Sequence, residues 1–122
     1  MEACQAMRLT QAASLLALVA LISGCASPTM YSWGHYEDLI YVSYASPGKA
    51  TPEMQVARLE EDFQKARSKN KPVPPGFHAH LGYLYYQLGK ADQAKVEFET
   101  EKAAFPESAV FMDRMLAGLA KK

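Results

Sequence analysis

Through most of this chain the apolar residues recur at helical rather than strand spacing. Val56, Leu59, Phe63 and Ala66 fall at i, i+3, i+7 and i+10, one stripe of a helix. Thr51 can cap that helix, Pro52 suits its first position, and Glu53 lies at the positive end of the dipole. The basic run Lys65 to Lys71 marks its end, with Arg67 and Lys69 suited to the negative end. Pro72-Val73-Pro74-Pro75-Gly76 then breaks it. A further helix is expected from about Phe77 to Leu88, with Gly89 as its left-handed cap. Another is expected from about Ala91 to Phe105, closed by Pro106. A last one, about Glu107 to Ala120, gathers Phe111, Met112, Met115, Leu116 and Leu119 on one broad apolar face. Upstream, Trp33, Tyr36, Ile40 and Tyr44 fall at i, i+3, i+7 and i+11 and predict a first helix, stopped by Pro47-Gly48. The β-branched content of Ile40-Tyr41-Val42 leaves a strand open as an alternative there. The pattern predicts an all-α fold of about five helices.

The first quarter of the chain has a different pattern. Arg8 precedes an apolar run, Ala12 to Ile22, that is too short to span a bilayer and has the proportions of a signal-peptide core. Leu21-Ile22-Ser23-Gly24-Cys25 follows and resembles a bacterial lipobox. The resemblance implies cleavage between Gly24 and Cys25, diacylglycerol on the Cys25 sulfur and an N-acyl chain on the new terminus. The competing reading is an ordinary secretory signal that happens to end in Gly-Cys. Met7-Arg8-Leu9 is the conventional charged start, so translation is expected from Met7, with Met1 the alternative. Ala26 is not the Asp that retains such proteins at the inner membrane. The expected location is therefore the outer membrane, on its periplasmic face. The organisation that follows is a signal peptide over 1–24, a lipidated tether over 25–31 and a helical domain over 32–122.

Composition narrows the function classes. Removal of residues 1–24 from the 122 leaves 98, enough for one small domain. Of the 13 basic and 13 acidic residues, Arg8 and Glu2 leave with the leader, so the remainder keeps 12 of each. A neutral balance gives no basic face for nucleic acid. Cys4 leaves too and Cys25 is expected to be acylated, so no disulfide is available and packing must hold the domain.

The third and fourth helices carry the strongest internal signal. Leu81-Gly82-x-x-Tyr85, then Gly89, Ala94, Phe98 and Pro106, resembles the 34-residue tetratricopeptide repeat, with its clearest copy over residues 75–108. Gly82 and Ala94 remove bulk where two antiparallel helices approach, Tyr85 and Phe98 fill the space beside them, and Gly89 permits the connecting turn. His78 stands where the repeat usually has Trp, and Glu101 where it usually has a small residue. The first two helices read as a loosened partner unit, Trp33 to His78 being 45 residues rather than about 34. The extra length is expected around Ser46–Thr51 and Asn70–Gly76, with the fifth helix capping the open end.

Tyr31-Ser-Trp-Gly-His-Tyr-Glu, the Tyr-rich helix after it and Leu-Gly-Tyr-Leu-Tyr together resemble a family of small bacterial lipoproteins classed as a domain of unknown function. The genes of that family often neighbour two other lipoprotein types, one similar to the curli secretion channel. The resemblance implies an accessory role in the envelope and brings no catalytic residues with it.

A search for chemistry finds no constellation that reads as an active site, and the chain is expected not to be an enzyme. His78 and His80 lie about 200° apart around a helix and cannot share a metal on one face; a helical zinc pair needs i, i+4 spacing. No metal, and no cofactor beyond the covalent lipid, is expected. Each histidine reads as a surface or packing residue. Glu60-Glu61-Asp62 and Glu97-x-Glu99-x-Glu101 read as solvated helix faces. Trp33, Tyr36, Tyr83 and Tyr86 are candidate partner-binding residues, since Tyr and Trp suit sites where a ring is buried and its polar end stays wet. Packing against neighbouring repeat elements is the equal alternative. Two functions stay open: an interaction adaptor for another envelope lipoprotein or channel-like complex, and an obligate subunit of an oligomeric assembly. A cell-wall-acting enzyme is a distant third. No small-molecule substrate is evident.

Overall fold

A computed structural model describes residues 28–121, together with the isolated positions 1 and 11. Gly24, Cys25 and the rest of the expected leader and cleavage site lie outside the described residues. Among the described residues five α-helices follow in order: α1 Tyr36–Ala45, α2 Pro52–Ser68, α3 Phe77–Gln87, α4 Ala91–Ala104 and α5 Ala109–Leu119. Short 3₁₀ turns occupy Pro47–Lys49 and Pro106–Ser108. Among the described residues the fold is all-α, with no strand, so Ile40-Tyr41-Val42 is helical. No helix of the described residues is long and apolar enough to cross a membrane.

The helix ends follow the local chemistry. Thr51 caps α2 by accepting a hydrogen bond from the Met54 N–H at 3.3 Å. Gly89 turns with φ +72°, and the three residues from Leu88 to Lys90 join α3 to α4. Between these two helices Gly82 faces Phe98. A Cβ at Gly82 would come within 2.7 Å of the Phe98 ring and 3.2 Å of the Ala94 carbonyl, so the close approach expected of Gly82, Ala94 and Phe98 is present.

One core runs through all five helices. Leu39, Val56, Leu59, Ala66, Phe77, Leu81, Leu84, Tyr85, Ala94, Phe98 and Met112 are buried in it. Each large apolar side chain placed there contributes about 1.5–3 kcal/mol over leaving it in water. The stripe expected on α2 is the one observed, with Phe63 partly buried at its edge.

Three expectations change. First, the helix expected to begin at Trp33 begins at Tyr36. Gly34, at φ +52°, turns the chain before it, so Trp33 lies outside the helix and stacks on Tyr36 at 6.3 Å. Leu39, not the Tyr44 of the predicted stripe, is the buried residue of α1. Second, the acidic runs are not uniformly solvated. Asp62 and Glu101 are both buried and both partnered: Asp62 accepts the His35 N–H, and Glu101 the Gly76 and Ala79 N–H groups. Third, the apolar face of α5 is narrower than expected. Met112 is buried, while Phe111 and Val110 are 59% and 68% exposed.

The described end of the segment expected to be a tether, and Ser32 after it, pack against the domain. Ser32 N–H donates to the Pro72 carbonyl at 2.8 Å, Lys71 Nζ donates to the Thr29 carbonyl at 3.2 Å, and Tyr31 meets Phe105 edge-on at 6.3 Å.

Candidate interaction groove

A concave surface with a mixed apolar and polar lining lies where α1, α2 and α3 meet. It encloses about 360 Å³. Ile40 and Tyr44 come from α1, Gln55 from α2, and His80, Tyr83 and Gln87 from α3. Helical spacing explains the set: Ile40 and Tyr44, and likewise His80, Tyr83 and Gln87, lie three or four residues apart and project from one side. Tyr44 is 85% exposed and Tyr83 44%, so two rings stand at the rim with their edges in solvent.

The floor is polar and ordered. Gln55 is buried; its Nε2 donates to the Ala50 carbonyl at 2.9 Å, which fixes the amide and turns Oε1 inward. His80 Nε2 lies 3.2 Å from that oxygen and Ser43 Oγ 3.0 Å. An amide oxygen only accepts, so His80 Nε2 must carry a proton. Burial holds His80 below the usual imidazole range, so the ring is neutral with Nδ1 as its acceptor side. The groove thus offers two aromatic edges over an uncharged polar floor. It can hold a segment that brings both apolar side chains and backbone polar groups.

Around the N-terminus of α3 a second polar centre is structural. Glu101 of α4 is 2% exposed. Its Oε1 accepts from the Gly76 N–H at 2.6 Å and its Oε2 from the Ala79 N–H at 3.3 Å. A carboxylate there satisfies two of the orphan donors of α3 and lies at the positive end of its dipole. Burial, and then the negative charge of Glu101, raise the Tyr36 phenol above its ordinary value, so it stays protonated. His78 Nδ1 pairs with Glu97 Oε2 at 2.6 Å, and its ring meets Phe63 edge-on. The Tyr85 hydroxyl donates to Glu60, and burial followed by that bond pushes the phenol well up. Among the described residues no three His, Cys, Asp or Glu side chains converge as metal ligands.

The family model of the domain of unknown function DUF4810 covers residues 30–115. The chain belongs to that family. No curated protein and no solved structure matches it. The DUF4810 span takes in the docked aromatic segment at Tyr31 and Trp33 and runs into α5, so it contains both the groove and the Glu101 centre.

Within the DUF4810 domain the four candidate aromatic residues separate. Tyr83 is in the groove. Tyr36 is half-buried against Phe77 and His80, with centroids at 5.6 and 6.0 Å. Trp33 packs on Tyr36 and Tyr31, away from the residues lining the groove. Tyr86 packs on the core. Of the repeat-motif residues, Leu81, Gly82, Tyr85, Ala94 and Phe98 are buried, as packing residues must be, while Gly89 and Pro106 mark turns at the surface. Sequence reasoning missed Tyr44, Gln55 and His80 as groove residues. Tyr44 was in the α1 pattern, but its exposure depends on how α1 is rotated against α2. Gln55 and His80 carry no signal until two helices bring them together.

Proposed function

We propose that this chain is a lipid-anchored envelope adaptor, acylated on Cys25 at the periplasmic face of the outer membrane, which holds a segment of another envelope protein in the groove between α1 and α3. The observation that carries the reading is the pairing of exposed Tyr44 and Tyr83 rings above a neutral polar floor of Gln55 and His80. Exposed aromatics beside satisfied polar groups are what protein interfaces concentrate. The tetratricopeptide-like spacing of Leu81, Gly82, Tyr85, Gly89, Ala94, Phe98 and Pro106, together with the lipobox-like Leu21 to Cys25, supports the same reading.

A photo-crosslinking amino acid at Tyr83 or Tyr44, in cells expressing the full chain, should trap one discrete envelope protein. The same probe at Val96, exposed on α4, should not. Equal or absent trapping at all three positions ends the proposal. Anchoring is tested separately: Cys25→Ser should abolish metabolic labelling with palmitate and release the protein from the membrane pellet.

A second reading, an obligate subunit of a larger lipoprotein assembly, draws on Val110 and Phe111, two apolar side chains left in solvent on α5. It requires that the detergent-purified protein sediment as an oligomer. A stable monomer favours the adaptor.

A further inference from the structure

We infer that the face formed by the end of α2, the α2–α3 loop and the docked segment 29–33 lies against the membrane and takes phosphate-bearing lipid headgroups. The inference rests on the proposed acylation of Cys25. Three observations carry it. The first is charge. Residues 63–80 hold Lys65, Arg67, Lys69 and Lys71 and not one carboxylate, while the rest of the chain carries 9 basic against 13 acidic residues. Lys65 is engaged by Glu61 at 2.7 Å. Among the described residues Arg67, Lys69 and Lys71 have no carboxylate partner.

The second is shape. Between these residues and the end of α4 lies a depression of about 590 Å³ lined by Tyr31, Phe63, Arg67, Asn70, Lys71 and Phe105, among others, with no acidic residue in its wall. The Arg67 guanidinium lies 5.9 Å over the Phe63 ring, which holds the cation at the mouth. Cations beside aromatic rings suit the interface, where a phosphate and the top of an acyl chain arrive together.

The third is reach. Thr29 is held by Lys71 and Ser32 by Pro72. Thr29 is four residue steps from Cys25, and a fully extended chain covers about 14 Å over that distance. An acyl anchor on Cys25 therefore keeps Lys71 no farther than that from the headgroups, a tether short enough for it to come within the Debye length of about 8–10 Å over which an anionic surface attracts a cation by about 1 kcal/mol.

Trp33, the only tryptophan, packs 6.5 Å from Tyr31 at the edge of this depression and reports on it. The mature protein, its acylation read by intact mass, is reconstituted into vesicles of phosphatidylcholine alone or with about one-third phosphatidylglycerol. Quenching of Trp33 by a headgroup nitroxide should be at least about twofold stronger in the anionic vesicles. It should fall to the neutral level in about 0.5 M salt and in the double variant Arg67→Gln, Lys69→Gln, whose folding is checked by its circular dichroism melt. If that variant does not fold, the salt arm decides alone. Equal quenching of the acylated protein in both vesicles overturns the inference while leaving the anchor intact. An unacylated mass removes the anchor, and the inference with it. Competition by inorganic phosphate at matched concentration identifies a site for soluble anions and also overturns it.

Discussion

At the scale of single residues, three positions decide more than their neighbours. Gly34 turns at φ +52°, and a Cβ there would overlap the Asp62 carboxyl. That carboxyl accepts the His35 N–H at 2.6 Å and pairs with His35 Nδ1 at 3.0 Å. Gly34→Ala therefore combines a strained backbone with displacement of a buried acceptor. We expect a loss of about 2 kcal/mol or more in urea denaturation. Glu101→Ala leaves the Gly76 and Ala79 N–H groups without an acceptor in a buried setting and should cost about 2–3 kcal/mol. Glu101→Gln, which keeps one accepting oxygen, should cost clearly less in the same measurement. His80 gives a pH dependence. Burial lowers its folded-state value below the ordinary 6.5, so below that pH the unfolded chain binds more protons than the folded one. The stability is present above 6.5 and falls as pH drops through it, until the folded-state value is passed. The groups packed on the ring are Gln55 and Tyr36, neither of which ionises in this window. Urea midpoints at about pH 7.5 and 5.5 should differ less in His80→Gln than in the parent, since Gln keeps a donor for Gln55 without a titrating ring.

At the scale of helices, much was legible because periodicity and punctuation agree. Pro52 after Thr51, Gly89 and Pro106 place three helix boundaries within a residue or two of those observed. The seam of Gly82, Ala94 and Phe98 was readable from spacing alone. What was not readable depends on tertiary partners. Asp62 and Glu101 look like solvated charges until His35, Gly76 and Ala79 come from other segments to meet them. Phe111 looks like a core residue until α5 rotates Met112 inward instead. The two residues give a test of that rotation. Met112→Ala should cost about 2–5 kcal/mol by opening a cavity against α4, whereas Phe111→Ser should leave stability within about 0.5 kcal/mol. The ion pair between Lys102 of α4 and Asp113 of α5, at 2.6 Å but solvent-exposed on both sides, adds about 1 kcal/mol at most to holding α5 in place.

At the scale of the whole molecule, a balanced net charge hides an uneven distribution, with a carboxylate-free stretch over residues 63–80 that holds four cations. The polar contacts of α2 reach outward to α1, to α3 and to the residue just before α1. Gln55 meets Ser43 of α1 and His80 of α3, Glu60 meets Tyr85 of α3, and Asp62 meets His35 just before α1. An apolar stripe alone tolerates sliding, because one Leu or Val can replace another a turn away. A slip of α2 by one turn, about 5.4 Å along its axis, would bury Gln55 and Asp62 opposite apolar side chains with their bonds unmade. Gln55 and Asp62 therefore work as a register key: they select one axial position for the central helix, and with it the one arrangement in which Tyr44 and Tyr83 face each other across the groove.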